Sequence, residues 1–269
     1  MLARGLGWAR AGGLARGVCA GASQAQRGAA RAGLRHRLST TAAAGRVTEE
    51  QARHLFSRAQ AVCFDVDSTV ITEEGIDVLA EFKGAGAAVA ELTKKAMGGT
   101  VLFQDALAAR LQLIQPSAED VRKCLAAHPF QLSPGVKQLV ELLHARGTHV
   151  YLVSGGFRQM INPVAAELKI PLHRIYANNL LFDAKGGFAG FDAKEPTSRD
   201  GGKPAVVKLL KQAHQYFPVI MIGDGATDMQ ARPPADAFIG FGGVVTREPV
   251  QQGADWFVRD FADLIKLAR

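Results

Sequence analysis

Two aspartates, Asp65 and Asp67, follow the apolar run Ala61-Val62-Cys63-Phe64 with a single valine between them. Side chains alternate along an extended chain, so this spacing delivers two carboxylates to one side at the end of a strand. At ~4 Å and an effective dielectric of ~20 such a pair repels by ~4 kcal/mol, so it needs a cation, a shared proton or a distant rotamer. An Asp-rich turn capping a helix would use the same residues. A second acid group, Gly223-Asp224-Gly225-Ala226-Thr227-Asp228, follows another apolar run at 219–222. Hard carboxylate oxygens with no His or Cys beside them suit Mg²⁺, which keeps several waters and takes one or two protein carboxylates. Asp224 is the expected ligand, and Asp228 is expected either as a ligand or as the holder of a metal-bound water.

Two further elements carry phosphate chemistry. Ser154-Gly155-Gly156 offers a hydroxyl and unencumbered amides where a helix is expected to begin, a cradle for phosphate oxygens. Gly201-Gly202-Lys203-Pro204 brings an ammonium to the first turn of a helix whose apolar face includes Val206, Leu209 and Leu210. Each element alone also reads as an ordinary turn. Together they supply a nucleophile, an acid/base, a metal site, a hydroxyl and a cation, the set that phosphoryl transfer through an aspartyl phosphate requires. Neither a Walker-type loop nor a full G-x-G-x-x-G is present, which argues against nucleotide cradles of those kinds.

The elements that must position these groups alternate between strand and helix from Ala61 onward, the pattern of a parallel sheet covered by helices on both faces. Strands are expected at 61–64, 150–153, 219–222, 237–239 and 256–258. The acids, glycines and serine fall just past strand ends, where ligands bind in open α/β sheets. About 85 residues separate the first two strands, far more than one crossover helix needs, and they read as helix at 76–82, 87–96, 101–114 and 117–127. This insertion is the expected helical-bundle cap, at 71–133, on an α/β core at 53–70 and 134–269. A hairpin is expected over 176–192, with Asn178-Asn179 and Gly186-Gly187 as turn signals. At about 100° per residue, Phe103, Leu107, Leu111 and Ile114 form one stripe with Arg110 inside it. That cation must either reach outward or meet an anion under the cap.

The formal charge of +7 does not mark a nucleic-acid binder. Eight arginines between Arg4 and Arg46, with no acid before Glu49, account for all of it and leave −1 for the remainder. This Arg-, Ala- and Gly-rich arm, residues 1–45, has the composition of an organellar transit peptide, disordered before import, for a mitochondrion or a plastid. Its arginines break every apolar run that a secretory signal needs. No stretch of about 18 apolar residues would span a membrane. Cys19, Cys63 and Cys124 are isolated, which fits a reducing compartment and supports neither a disulfide framework nor a zinc site.

The motifs resemble the haloacid dehalogenase superfamily of phosphatases, most closely its branch acting on O-phospho-L-serine. The resemblance runs from about Arg53 to Leu267. It is carried by Val62-Cys63-Phe64-Asp65-Val66-Asp67-Ser68-Thr69, Glu73-Glu74-Gly75-Ile76-Asp77, Ala96-Met97-Gly98-Gly99, Ser154-Gly155-Gly156-Phe157-Arg158, Gly201-Gly202-Lys203 and 221–228. It implies a Rossmann-like parallel sheet with an inserted cap, and a Mg²⁺-dependent release of L-serine and phosphate, the last step of L-serine biosynthesis.

By that resemblance Asp65 is the nucleophile and Asp67 the acid/base. Mg²⁺ is held by Asp65, the Asp67 carbonyl and Asp224, with Asp228 behind them. Ser154, Gly155, Gly156 and Lys203 bind the phosphoryl oxygens, with Thr227 close by. Arg110 takes the substrate carboxylate and Glu74 its ammonium, and Met97, Gly98 and Phe103 line the pocket. A homodimer is a further expectation. The rival readings are a phosphatase or phosphotransferase of the same fold for another small ester, and a non-catalytic Mg²⁺ or phosphometabolite binder. A nucleic-acid binder would depend wholly on the arm.

Overall fold

The computed structural model describes residues 46–97 and 101–269, with the side chains of 94–97 left aside. In chain order the elements begin with α1 (Glu49–Ser57), β1 (Ala61–Phe64), α2 (Gly75–Phe82), α3 (Gly86–Met97), α4 (Phe103–Ile114), α5 (Ala118–Ala127) and α6 (Val136–Ala145). Then follow β2 (His149–Phe157), α7 (Arg158–Glu167), β3 (Ile175–Asn178), β4 (Leu180–Phe182), β5 (Phe188–Phe191) and α8 (Gly202–His214). The chain ends with β6 (Val219–Gly223), α9 (Ala226–Met229), β7 (Ala237–Phe241), α10 (Glu248–Gly253), β8 (Trp256–Val258) and α11 (Ala262–Ala268).

Six strands form one sheet in the order β3-β2-β1-β6-β7-β8, and every pairing in it is parallel. Alternation along β1 explains its all-apolar sequence. Val62 and Phe64 enter one buried cluster with residues of α1, α6, α7 and α11, while Ala61 and Cys63 enter another with Val206, Val207 and Leu210 of α8. Burial on both faces removes any polar position from the strand. The clusters make three layers, helix on sheet on helix. Phe261 stacks on Phe241 with ring centroids 4.2 Å apart and meets Phe64 edge-on at 6.3 Å, tying α11 to the sheet.

Strand order reverses around β1. It pairs with β2 on one side and β6 on the other, with Phe64 level with both Leu152 and Ile222. This register brings the residues just past Phe64, past Val153 and past Ile222 to the same end of the sheet, at its switch point.

Helices α2 to α5, which follow β1, have a core of their own. Leu79, Ala80, Val89, Leu107, Leu111, Ile114, Val121 and Cys124 bury together with Phe157 and Leu180. Helix α5 starts at a capping box in which Ser117 accepts from the Asp120 N–H and Asp120 receives the Ser117 N–H. A single antiparallel bridge, Ile71 with Leu132, joins the two ends of the insertion.

Two local readings change. The stretch expected as a hairpin from Tyr176 divides, because Ile175–Asn178 joins the main sheet beside β2 and only β4 and β5 pair with each other. The Asn-Asn signal marks the exit from a buried strand, and Asn178 is fully buried. Strand β2 also runs past 153 to Phe157, with an irregular register between Val153 and Phe157, so Ser154-Gly155-Gly156 lies on a strand end and α7 starts only at Arg158. Among the described residues no helix is long and apolar enough to cross a membrane.

Candidate active site

Asp65 is the first residue past β1, and its N–H continues the ladder by donating to the Ile222 carbonyl at 2.9 Å. That bond fixes its backbone, and its side chain is fixed at both oxygens. Oδ1 accepts the Val66 N–H at 2.7 Å and Oδ2 lies 2.8 Å from Lys203 Nζ. Lys203 is buried on the first turn of α8, and its Nζ also meets Asp228 Oδ1 at 2.6 Å. Burial alone would lower the lysine pKa, but Asp228 and Asp65 together hold it above its ordinary value and keep the ammonium charged. Gly202 lets the backbone at Pro196 and Thr197 pack against the start of α8, since a Cβ there would stand 2.2 Å from the Pro196 carbonyl oxygen.

Asp224 follows β6 as Asp65 follows β1. Its Oδ1 accepts from Thr69 Oγ1 at 3.2 Å and its Oδ2 meets Arg247 Nε at 2.9 Å. Carboxylate oxygens of Asp65, Asp224 and Asp228 all lie within 4.8 Å of one another. The donor set is hard oxygen with no nitrogen or sulfur, which fits Mg²⁺. Burial, then repulsion from Asp65, raises the Asp224 pKa above the usual carboxylate range, the electrostatic condition that a bound cation relieves.

Asp67 faces a different set of partners. Its Oδ1 accepts the Gly75 N–H at 2.8 Å and its Oδ2 accepts from Ser154 Oγ at 3.4 Å. Burial, reinforced by Glu74 and Asp65, pushes its pKa up to about 8. The two aspartates of one motif thus differ in character, the first pinned by Lys203 and the second holding a proton at neutral pH. Ser154 Oγ in turn accepts the Gly156 N–H at 2.9 Å. A Cβ on Gly156 would stand 2.6 Å from Asp67 Oδ2, and one on Gly155 would stand 3.0 Å from the Phe103 ring. Both glycines are therefore required by close approach.

The insertion closes the other side. One cavity is lined by Asp65, Asp67, Gly155, Gly156, Lys203, Asp224 and Thr227 from the sheet end, and by Glu74, Phe103, Leu107 and Arg110 from the helices. Arg110 turns inward, half-buried, with Nε donating to the Ala106 carbonyl at 3.2 Å. Burial lowers its pKa, opposed by Asp77, Glu74 and Asp67. Glu74 stands at the start of α2 but makes no capping bond. Its Oε1 accepts from Ser68 Oγ at 2.8 Å and lies 3.4 Å from Arg247, so it belongs to the cavity rather than to the helix end. Of the remaining expected residues, Met97 ends α3 with its side chain outside the described residues, and Gly98 lies outside them altogether.

Two contributors carry no local signal. Arg247 bridges Asp224 and Glu74 from the loop after β7. Asn178, at the end of β3, donates to the Gly155 carbonyl at 2.7 Å and accepts from Thr197 Oγ1 at 3.0 Å, fixing the end of β2 at the glycines. Arg247 occupies a loop with no motif around it, and only the distance of Asn178 from an exposed turn distinguishes it from a turn residue.

Residues 62–231 match the model of the haloacid dehalogenase-like hydrolases. A mouse protein named phosphoserine phosphatase is 53% identical over 219 residues, covering 81% of this chain and 97% of its own length. One from Arabidopsis thaliana, named phosphoserine phosphatase, chloroplastic, is 53% identical over 233 residues, 86% of this chain and 79% of its own. A solved structure of a phospho-aspartyl intermediate analogue of phosphoserine phosphatase superposes with a TM-score of 0.67 at 25% identity, over 77% of this chain and 98% of that one.

Proposed function

The chain belongs to the phosphoserine phosphatases within the haloacid dehalogenase-like hydrolases, and we propose that it hydrolyses O-phospho-L-serine through an aspartyl phosphate on Asp65, as the last step of L-serine biosynthesis. The observation that carries this reading is the shared cavity. The pinned carboxylate of Asp65, the proton-bearing Asp67, and the cap's Glu74 and Arg110 all face it.

In the first half-reaction a carboxylate oxygen of Asp65 attacks phosphorus and the bond from phosphorus to the serine oxygen breaks. Asp67 gives its proton to that oxygen, releasing L-serine. In the second half-reaction Asp67, now ionised, takes a proton from water as the water attacks phosphorus, and phosphate leaves with Asp65 restored. Lys203 and Ser154 hold the phosphoryl oxygens, with Lys203 stabilising the charge that accumulates on them. Arg110 takes the substrate carboxylate in a charge-assisted pair and Glu74 takes the ammonium. Asp65, the Asp67 carbonyl and Asp224 would hold Mg²⁺, with Asp228 supporting them, and the ion supplies Lewis-acid polarisation of the phosphoryl group.

The acid-free residues 1–45 are proposed as an address to an organelle, plastid or mitochondrion, a reading that the name of the Arabidopsis relative supports on the plastid side.

The test is phosphate release from O-phospho-L-serine and from a panel of other phosphate esters, with and without Mg²⁺, beside Asp65→Asn. Metal-dependent selectivity for phosphoserine that disappears in Asp65→Asn is expected. Activity spread evenly over the panel would remove the substrate assignment, and activity surviving in Asp65→Asn would remove the nucleophile.

A further inference from the structure

At the opposite end of the sheet, where β1 and β2 begin, lies a cleft of about 610 Å³ with no acidic residue in its lining. Ser57, Arg58 and Gln60 form one side, Arg146, Thr148 and His149 another, and His214 and Tyr216 close it. Arg146 meets no carboxylate among the described residues: Nε donates to Thr148 Oγ1 at 2.8 Å, Nη2 to the Phe56 carbonyl at 2.9 Å and Nη1 to the Ser57 carbonyl at 3.2 Å, and the guanidinium lies 5.3 Å from the centre of the Phe56 ring. Arg174 reaches in behind His149, its Nη2 2.8 Å from Nδ1 of that ring. Arg58 contacts His54 at 3.4 Å. None of these three arginines pairs with a carboxylate of the described residues.

The acids at this end of the sheet are spent elsewhere. Asp236 is neutralised by Lys211 at 2.7 Å and accepts the Val219 N–H, and Asp255 is paired with Arg232 and accepts the Phe238 N–H. The local field agrees with this inventory. Burial, then Arg174 and His214, lowers the His149 pKa, and no acid acts on it.

The polar groups presented to the cleft are also donors. Gln60 has its oxygen taken by the Phe217 N–H at 2.9 Å, which leaves donors as the polar groups of that amide still to be paired. With Nδ1 of His149 engaged by Arg174, the opposite ring nitrogen is the donor. A tilted stack joins His149 to Tyr216 at 5.0 Å and Tyr216 to His214 at 4.9 Å, and this stack holds the two imidazoles in place. The size is that of a small-molecule site. The first 45 residues of the chain hold seven arginines and no acid, so they are excluded as the occupant by charge.

We infer that this cleft, at the amino ends of β1 and β2, is a second ligand site that takes a small, multiply charged anion of the phosphate class, remote from the carboxylate cluster. Arg58, His149 and His214 would donate to its oxygens over the fixed charge of Arg146.

Inorganic pyrophosphate is the probe, titrated into the full chain without Mg²⁺. The ring C–H proton resonances of His149 and His214 are followed against sodium chloride at matched ionic strength. These resonances report the cleft alone and do not depend on turnover, so the result stands apart from the assignment of activity. Saturable shifts are expected, absent with sodium chloride and weakened about tenfold in Arg58→Ala and in His214→Asn. Phosphate release by both variants, measured without pyrophosphate, is expected to stay at the level of the unaltered chain. Resonances that do not move, or move equally with sodium chloride, or shift with undiminished affinity in both variants, would overturn the inference.

Discussion

Lys203 Nζ lies 2.6 Å from Asp228 Oδ1, with both side chains buried, and the same nitrogen reaches Asp65 Oδ2 at 2.8 Å. One ammonium therefore balances two carboxylates brought from different strand ends. Removing it leaves buried negative charge without a partner. Lys203→Met is expected to cost about 3–5 kcal/mol in metal-free unfolding by denaturant, a loss that added Mg²⁺ partly restores. A variant as stable as the unaltered protein without metal would show that the two acids do not depend on Lys203 as their partner.

Asp67 is assigned the proton, so its loss should matter in proportion to the basicity of the leaving group. Asp67→Asn is expected to lower kcat on O-phospho-L-serine about 10²–10⁴-fold. With 4-nitrophenyl phosphate, whose leaving group needs no proton, a first-turnover burst of nitrophenolate should survive, followed by slow hydrolysis. Rapid-quench measurement of both substrates separates the steps. Equal loss of the burst and of steady-state turnover would remove Asp67 from the acid role.

Gly156 is a packing requirement placed beside the chemistry. The Cβ of Gly156→Ala would meet the end of the Asp67 side chain at 2.6 Å, a group that can rotate away at small cost in stability. The expected outcome is a melting temperature little changed and kcat on phosphoserine reduced about tenfold or more, because misplaced groups lose rate steeply. A variant with full kcat would mean that the position of Asp67 is not set by this contact.

Arg110 is assigned to the substrate carboxylate, so Arg110→Ala should raise KM for phosphoserine by roughly 10–100-fold, the worth of a charge-assisted pair, while aryl phosphate turnover is largely kept. Equal losses on both substrates, measured side by side, would count against that role.

His149 links stability to pH. Its folded-state pKa is lowered by burial, Arg174 and His214, so the unfolded chain takes up a proton first as pH falls below the ordinary value of 6.5. The contribution is fully present above that value and is lost on acidification. Denaturant unfolding at pH 7.5 and pH 5.5 should show lower stability at the acid end, with a smaller difference in His149→Gln. An unchanged difference would assign the pH dependence to other groups.

Much of the site was legible from the chain alone, because its information is local. An apolar tetrapeptide followed by Asp-Val-Asp fixes a buried strand and two carboxylates at its end, whatever else surrounds them. Gly201-Gly202-Lys203-Pro204 likewise encodes a helix start with a lysine on its first turn, and the observed α8 begins there. Local patterning failed where the partner decided the outcome. Ile175–Asn178 reads as half of a hairpin until β2 takes it as a parallel neighbour, and Ser154 reads as a helix start until the same pairing extends β2 beneath it.

What the sequence determined by itself was the type of chemistry and the elements that carry it, since alternation, capping and turn preference act over a few residues. What only the tertiary structure decided was which groups meet. Arg247 reaches Asp224 and Glu74, the latter 173 residues away, and Asn178 supports Gly155 across a sheet register that no neighbouring residue encodes. The different surroundings of Asp65 and Asp67 belong to the same level. Charge and proton are distributed by burial and by the nearest cation, and both depend on how distant segments pack.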